Sequence, residues 1–481
     1  MKANVIRWEN VHPKVRVVSA MIESQAHIAD ADCRLKLRRI SFRSWGIVPM
    51  DAIITFEIFK HEVLTRMSEA ITLNATRMGG EARMKAFVPQ IGDRYTKNRN
   101  FDRGPGAHRD VSGLSPYIRR RLVLESEVVA EAISTHGFES SEKFVQELMW
   151  RGYFKGWLEN RPSIWVSYRQ ALKRDLQALD RDERLRDALD RAETGTTGLE
   201  CFDAWANELM ETGYLHNHAR MWFASIWIFT LGLPWRIGAD YFYRHLLDGD
   251  PASNTLSWRW VAGLHTRGKK YKAQAFNIAQ FTSLRFTPSD EELSGNIDGL
   301  VDEEPEGLPF VEALRFPHPP KPGIRTALLI TEEDCRVEDF NLESLNVCSV
   351  ATLAASHLRS LRPIANNVVH FEAQALADAA ARVGALTGSV PAAVALRANG
   401  QEDLATWAAS RGAIQIVTPY VPQGPLRDWL NEAGPSLAKH GVGFCEWQRD
   451  WDKAIWPHAT AGFFKIKQRI PAIVRELCNV D

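Results

Sequence analysis

The chain has 481 residues, of which 45% are hydrophobic and 25% charged, a composition typical of a globular protein of about two or three domains. Basic and acidic residues balance at 59 each, so a strong overall positive field is excluded, and nucleic-acid binding would need a local basic patch. The six cysteines form no CxxC pair, which argues against a disulfide framework and a cysteine metal site, and no apolar run approaches a membrane span. We therefore expect a soluble, cytoplasmic protein with reduced thiols, no metal site and no membrane partner.

The first three segments differ in periodicity and charge. Residues 1–75 carry scattered basic residues and little periodicity, which predicts an N-terminal extension of uncertain structure and role. Residues 76–285 have apolar residues at three- and four-residue spacing, most clearly over 141–157 and 202–211, which predicts a helical domain. Residues 286–323 are predicted as a linker, because 286–314 contain nine Asp or Glu and no Lys or Arg, and several prolines follow.

The pattern changes over residues 324–481. Short apolar runs at 326–331, 368–371, 394–396 and 414–417 are predicted as strands, and Ala-rich stretches at 372–384 and 402–410 as helices. Strands that alternate with helices are typical of a parallel sheet covered on both faces, so we predict a Rossmann-like α/β domain. No GxGxxG follows the first strand, so the dinucleotide-binding fingerprint is absent. The expected fold is therefore an all-helical domain followed by an α/β domain.

One stretch, residues 247–260, brings carboxylates, an amide and indoles together: Asp248, Asp250, Asn254, Trp258 and Trp260. Four further residues stand shortly before it: Asn217, Arg220, Met221 and Trp235. This combination resembles the flavin cavity of the DNA photolyase/cryptochrome family, whose members use light to drive an electron from reduced FAD. Family members generally carry the α/β antenna domain before the helical FAD-binding domain. The domain order of this chain is therefore that expected of a circular permutation.

The resemblance implies a diphosphate site near the start of the helical domain, formed by Tyr95, Arg99, Ser112, Leu114 and Ser115. By their chemistry, Ser112 and Ser115 can cap the helix that follows and donate to phosphate oxygens. A simple helix cap would give the same pattern of residues.

The resemblance also implies the residues around the flavin ring, which would lie between the segment of Asn217 and Arg220 and the segment of Asp248. Asp248 would pair with Arg220, a pair that could also be purely structural. Asp250 would accept a hydrogen bond from the ring edge. Asn254 would face flavin N5, and an asparagine at this position favours repair over photoreception.

A lesion pocket is implied by Glu147 and Trp150, which are three residues apart and so share one face of a helix. By resemblance, Glu147 would hydrogen-bond the damaged pyrimidine, while Trp150 and Trp260 would be opposite walls around a base flipped from the duplex. A surface carboxylate beside a core tryptophan is the alternative. Gly152 replaces an acidic residue common in the family. Met221 resembles the enzymes that act on cyclobutane dimers more than those that act on (6-4) products.

By the same resemblance, Trp258 and Trp235 would be the first two indoles of an electron-transfer chain to the flavin. The third member stays open among Trp165, Tyr168 and Trp222. One loop is predicted to bind DNA phosphates, with a solvated loop as the alternative: Arg267, Lys269 and Lys270.

We therefore predict a monomeric flavoprotein lyase that uses FAD and blue light to repair pyrimidine dimers in damaged DNA, with cyclobutane dimers as the expected lesion. The first alternative is a cryptochrome-like photoreceptor without repair activity, and the second is a flavin-binding structural protein. The sequence leaves open whether an antenna chromophore binds, and which one. It also leaves open the lesion type, and whether single- or double-stranded DNA is preferred.

Overall fold

The structure, a computed structural model, describes residues 74–295, 300, 304, 306–387 and 392–478. Leu73–Gly104 and His108–Asp481 belong to one compact unit. The predicted N-terminal extension, residues 1–75, lies almost wholly outside the described residues. Among the residues that are described, no helix is both long and apolar enough to cross a membrane.

The predicted helical domain is helical in the structure. It begins with α1 (Arg77–Phe87), α2 (Asp93–Asn98), α3 (Ser115–Arg119) and the long α4 (Glu125–Glu159). It continues with α5 (Pro162–Ala178), α6 (Glu183–Glu193), α7 (Glu200–Thr212), α8 (Asn217–Ser225), a π-helical turn (Ile226–Thr230), α9 (Trp235–His245), α10 (Pro251–Val261) and α11 (Ala275–Phe281). Helix α4 bends at Gly137, whose φ of 75° lies in the left-handed region that a residue without Cβ enters at little cost.

The α/β region contains a parallel sheet, which confirms the predicted type of sheet. Its strands are β1 (Arg325–Thr331), β2 (Asn346–Ala354), β3 (Val394–Arg397), β4 (Gln415–Pro419) and β5 (Gly443–Trp447). In the sheet they lie in the order β3-β2-β1-β4-β5. Helix α12 (Asn366–Thr387) lies on one face, and α13 (Gln401–Ser410) and α14 (Pro425–Lys439) lie on the other. Alternate residues of β1 serve the two faces, since Leu328 joins the core that includes the helical region and Leu329 joins the core under α13 and α14.

The predicted strand at 368–371 is wrong, because these residues lie in α12. Two β-branched valines and a phenylalanine suggested a strand. The residues that α12 buries, however, include Val368, Phe371, Ala375, Ala379 and Val383, which recur at three- and four-residue intervals. Packing along this helical face outweighs the local β propensity.

The end of the chain returns to the helical region through α15 (Asp450–Ile455), α16 (Phe464–Lys467) and α17 (Ile470–Cys478). A Cβ on Gly152 would stand 2.9 Å from the Cδ1 atom of Ile455, and one on Gly156 would stand 2.7 Å from the Cα atom of Trp456. The two glycines of α4 therefore allow this close approach. The acidic residue that the family commonly has at Gly152 would collide with α15.

Charge contacts hold the sheet against the helical region. Arg119, Arg120 and Arg121 follow one another at the end of α3, and Glu332, Glu333 and Asp334 follow one another after β1. Their nitrogen–oxygen distances are 2.6 Å for Arg119 with Glu333, 3.0 Å for Arg120 with Glu332 and 3.3 Å for Arg121 with Asp334. All of these side chains are buried. We call these six residues the interdomain charge cluster.

Other buried arginines complete the charge balance of this cluster. Arg359 donates to Glu332 at 2.9 Å, and Arg449 donates to Asp334 at 2.6 Å. Burial raises the pKa of Glu332, but Arg359, Arg120 and Arg119 outweigh burial and hold this pKa below its ordinary value. Glu332 therefore stays charged, and the removal of a carboxylate from this cluster takes a counter-charge away from at least one buried arginine.

We expect Glu333→Gln to lower the free energy of unfolding by about 3 to 5 kcal/mol, because it leaves the fully buried Arg119 guanidinium without its bidentate partner. Urea unfolding followed by circular dichroism measures the change. Glu343→Gln, at an exposed position, is the matched control and should change stability by less than about 0.5 kcal/mol. Equal effects of the two substitutions would contradict the structural role of the cluster.

Candidate active site

An ion pair joins the start of α8 to the loop before α10. Arg220 donates from Nη2 to Asp248 Oδ2 at 2.9 Å and from Nε to the Leu215 carbonyl at 2.9 Å. Burial raises the pKa of Asp248, but Arg220, aided by the Ser115 hydroxyl, outweighs burial and holds this pKa below its ordinary value. The predicted pairing of Arg220 with Asp248 is confirmed, and Ser115 of the predicted diphosphate segment reaches the same carboxylate.

Asp250 faces a group of cations. Its Oδ1 atom accepts from the Ser253 backbone at 2.9 Å as the N-cap of α10. Its Oδ2 atom lies 3.4 Å from Lys155 Nζ, 3.5 Å from Arg151 Nη2 and 3.8 Å from Arg119 Nε. Burial raises the pKa of Asp250, but the three cations hold it well below its usual range. The carboxylate is therefore charged and anchors α10, while its predicted contact with the flavin ring stays a prediction.

The two predicted flavin-side amides differ in their surroundings. Asn217 is the first residue of α8, is exposed, and makes no side-chain hydrogen bond to another described residue. Asn254 is 9% exposed and donates from Nδ2 to the Ala239 carbonyl at 2.7 Å, which fixes its orientation. Met221 is half-buried next to Arg220. The roles of these residues beside a flavin stay predictions.

The serines of the predicted diphosphate segment do not cap α3. Leu114 is the N-cap of α3 and has no side-chain cap bond, and Ser115 is the first helical residue. The Ser112 hydroxyl accepts from the backbone N–H of Leu114 at 3.3 Å, two residues away, as in a local serine turn. The predicted capping of α3 by Ser112 and Ser115 is therefore wrong.

Two residues predicted for different ligands share an ion pair. Arg99 Nη1, assigned to the diphosphate, lies 2.8 Å from Glu147 Oε1, assigned to the lesion. Burial raises the pKa of Glu147, and Arg99 and Lys143 oppose this only in part. Tyr95 is buried four residues before Arg99, and burial together with Glu147 raises its pKa, so it stays a neutral hydroxyl.

The predicted walls of the lesion pocket are each stacked on another ring. Trp150 lies parallel to Phe463, with centroids 3.9 Å apart and an interplanar angle of 12°. Trp260 stacks on Tyr271 at 5.4 Å. The opposition of Trp150 and Trp260 stays a prediction, and Phe463 is a contact of Trp150 that the sequence did not suggest.

The two predicted electron-transfer indoles, Trp258 and Trp235, are 2% exposed. Trp258 packs so closely on α9 that a Cβ on Gly238 would stand 2.4 Å from its Cη2 atom. Trp235 contacts Tyr168 at 5.8 Å between centroids, and Tyr168 contacts Trp165 at 5.6 Å. Of the three candidates for the third member of the electron-transfer chain, Tyr168 and Trp165 therefore extend the series of ring contacts that begins at Trp235.

Trp222, the remaining candidate, belongs to another cluster. It stacks on Trp205 at 5.5 Å and on His218 at 4.0 Å, and its Nε1 donates to Asn277. Its contacts therefore lead away from Trp235.

The predicted DNA-binding loop comes after α10 in the chain and lies beside aromatic rings of α4. Arg267 and Lys269 are exposed and Lys270 is half-buried. Just before them, His265 packs against Trp157 at 4.8 Å, and its Nε2 lies 3.3 Å from the Tyr153 hydroxyl. Contact of the loop with DNA stays a prediction.

Within the described part of the chain, one group has the spacing for a metal ion: Asp102, His108 and Glu208, with ligand atoms within 4.8 Å of one another. Each of the three side chains already forms a hydrogen bond with another residue. Asp102 accepts from Trp205 at 2.9 Å and from Arg285 at 2.6 Å, and His108 lies 2.7 Å from Glu208. This group is therefore a buried hydrogen-bond network.

A family model described as the FAD binding domain of DNA photolyase matches residues 144–288. The deoxyribodipyrimidine photo-lyase of Streptomyces griseus is 37% identical over 165 residues, which cover 33% of this chain and 34% of that protein. The enzyme of the same name from a strain of Thermus thermophilus is 36% identical over 191 residues, which cover 40% of this chain and 43% of that protein. The chain thus spans less than half the length of these relatives.

Among solved structures, a class III photolyase from Agrobacterium tumefaciens aligns over 43% of each chain, with 24% identity and a TM-score of 0.36. A cryptochrome from Synechocystis sp. PCC6803 aligns over the same share, with 21% identity and a TM-score of 0.36. By these sequence matches, residues 144–288 are similar to the FAD-binding domain of the photolyase/cryptochrome family.

We expect the protein to lose stability as the pH falls from about 6.5 to 4. Burial, with neighbouring arginines, lowers the pKa of both His245 and His265 to about 4. In this range the unfolded chain binds protons that the folded chain does not, so each histidine costs about 1.4 kcal/mol per pH unit.

Urea unfolding at pH 7, 6 and 5 measures this slope. His245→Phe should reduce it, whereas His440→Gln, at an exposed position, should leave it unchanged. A slope that is the same in all three proteins would contradict the prediction.

Proposed function

We propose that the chain is a light-dependent DNA photolyase that binds FAD and repairs cyclobutane pyrimidine dimers. The observation that carries this proposal is the match of residues 144–288 to the FAD-binding domain of photolyases, together with the Arg220–Asp248 pair that the motif requires. When bound, reduced FAD would supply, after excitation by light, the electron that opens the cyclobutane ring.

The chemistry of the side chains at the site fits FAD. The Arg220 guanidinium and the exposed Asn217 amide offer donors, and the Asp248 carboxylate, with Ser115 beside it, offers an acceptor. A flavin ring edge carries both an imide N–H and carbonyl oxygens, and a diphosphate accepts from hydroxyls and cations, so this mixed set suits both ends of the cofactor. Asn254, held by Ala239, would add a rigid amide.

Glu147 supports the proposed chemistry through its raised pKa, which makes protonation easier. When it is protonated, the carboxyl group can donate a hydrogen bond to a dimer carbonyl as negative charge develops there, which a carboxylate cannot do. Arg99, 2.8 Å away, would balance the carboxylate whenever it ionises. Trp150, one turn along α4, would offer its face to the base once Phe463 has moved.

A series of buried rings supports a path for electrons to the flavin. Trp258 and Trp235 would carry the first steps, and Tyr168 and Trp165 would extend the path. Trp165 Nε1 donates to Asp428 at 2.8 Å, and a carboxylate at this distance stabilises a positive charge on the indole. Tyr168 has a buried hydroxyl without a hydrogen-bond partner among the described residues, and burial raises its pKa. Among them the tyrosine therefore has no group that would accept its proton on oxidation, and we expect the positive charge to be more stable on Trp165.

A cryptochrome-like photoreceptor without repair is the second candidate function. The observation that favours it is the parallel stack of Phe463 on Trp150, since this stack covers the wall that a flipped base would need. Both candidates use FAD and light, and only the first restores intact pyrimidines.

Repair under blue light separates the two functions. We expect purified protein with reduced FAD to restore thymines in an oligonucleotide that contains a cyclobutane dimer, with no restoration in the dark. Glu147→Gln should lower the repair rate by roughly 10- to 100-fold, the value of one hydrogen bond to a charged group. Glu131→Gln, an exposed position on the same helix, is the matched control and should repair normally. Normal flavin photoreduction without any repair would favour the photoreceptor.

Photoreduction of oxidised FAD tests the electron path independently of repair. Trp165→Phe should slow photoreduction in the presence of an external reductant, because it removes the ring that the Asp428 carboxylate stabilises. Trp222→Phe, an equally buried position in the other cluster, should leave the rate within about twofold of the unsubstituted protein. Slow photoreduction in Trp222→Phe together with a normal rate in Trp165→Phe would contradict the prediction and indicate a path through Trp222.

A further inference from the structure

The segment of residues 461–469 lies against the predicted lesion pocket. Phe463 stacks on Trp150 at 3.9 Å and meets Tyr153 at 5.7 Å, both on α4. Helix α16 begins at the next residue, Phe464. This segment comes from the end of the chain, after the sheet, and the predicted pocket residues all precede the linker. Its place beside Trp150 is therefore a property of the three-dimensional structure and not of the flavin motif.

The same segment concentrates positive charge. Lys465 and Arg469 are exposed and Lys467 is half-buried, and none of the three forms an ion pair with another residue that the structure describes. In contrast, Arg449 pairs with Asp334 and Asp339. In a chain whose net charge is zero, three uncompensated cations within five residues make a local basic surface.

A surface cleft of about 280 Å³ adjoins these cations, and it is lined by Pro457, His458, Thr460, Lys465, Gln468 and Arg469. Burial and the charge of Arg469 both lower the pKa of His458, so the cleft disfavours a further positive charge. A cleft with these properties favours an anionic group. Its hydroxyl, amide and cationic donors are those that bind phosphate oxygens.

The predicted DNA-binding loop lies on the same aromatic cluster. Tyr153 contacts both Phe463 and His265, and Arg267 follows His265 by two residues. The two basic segments therefore both lie close to the rings of α4 that include Trp150. A duplex whose damaged base enters between them would present backbone phosphates to both.

We propose that residues 461–469 form a DNA-binding element in which Lys465, Lys467 and Arg469 hold backbone phosphates beside the lesion. Phe463 covers Trp150 in the free protein and gives way when the flipped base takes its place on the indole, so that one aromatic stack replaces another. The proposal rests on the proposed function in that it names how the damaged DNA is held. The contacts are to phosphates, so the element itself is independent of sequence and of damage.

The test compares two triple variants of the full chain loaded with FAD. Lys465→Ala/Lys467→Ala/Arg469→Ala removes the element, and Arg397→Ala/Arg411→Ala/Lys439→Ala removes the same charge from exposed positions of the α/β region. Affinity in the dark is measured by fluorescence anisotropy against a duplex with one thymine dimer and against its undamaged twin, over a series of salt concentrations. Repair under blue light is measured on the same preparations.

We expect the first variant to bind both duplexes at least tenfold more weakly than the unsubstituted protein. Its slope of log affinity against log salt should be shallower by about 2 to 3, since each phosphate that the protein neutralises contributes about 0.9 to the slope. The control triple variant should keep the slope of the unsubstituted protein. Phe463→Ala should also keep the slope, because it removes no charge.

Equal slopes in the first variant and the control would overturn the proposal, as would a full-length protein that binds neither duplex. If the unsubstituted protein binds DNA and the first variant shows the shallower slope, but no dimer is repaired, the proposed function fails and the element stands. If the unsubstituted protein repairs dimers and the first variant keeps its slope, the element fails and the proposed function stands. Thermal melting and FAD absorbance check folding, and Lys465→Glu alone replaces the triple variant if that protein unfolds.

Discussion

The interdomain charge cluster is the constraint on which the candidate site depends. Arg119 pairs with Glu333 of the α/β region, donates to the Gly249 carbonyl at 2.8 Å and lies 3.8 Å from Asp250. It therefore joins the sheet to the loop that carries Asp248 and that begins α10. The orientation of this loop sets where Asn254 and Trp258 stand. A change in the sheet region would thus reach the candidate site through the buried guanidinium of Arg119.

The sequence predicted those elements whose apolar pattern is local and continuous. Helix α7 and strands β1 and β4 have clear periodicity or an unbroken apolar run. Strand β2 was not predicted, because Ser349 and Thr352 interrupt its apolar residues although its centre is buried. Strand β5 contains the buried Glu446, which pairs with Arg315 and Arg427. Strand β5 was not predicted, because the sequence alone does not indicate that a glutamate within a strand is buried and paired with arginines.

The contacts of the candidate site likewise divide into those that the sequence predicted and those that it did not. The pairing of Arg220 with Asp248 was predicted because both residues belong to short motifs that resemble those of the photolyase/cryptochrome family. The stack of Phe463 on Trp150 and the cations around Asp250 were not predicted. They depend on how the tail of the chain and the sheet pack on α4, and contacts between residues hundreds of positions apart are set by tertiary packing alone. A local signal that was available was the run of arginines at 119–121, since consecutive arginines before a buried helix need acidic partners.

The chain order has a consequence for synthesis. Ribosomes add about 5 to 20 residues per second, so roughly 10 to 40 s separate the appearance of residue 121 from that of residue 334. Throughout this interval the arginines at 119–121 lack their acidic partners from the α/β region, and Trp150 lacks the later segment whose Phe463 stacks on it. These residues of the helical domain therefore complete their contacts only after the α/β region has been synthesised. A nascent chain released after the linker would contain every flavin-motif residue but would lack the contacts from the α/β region that orient them.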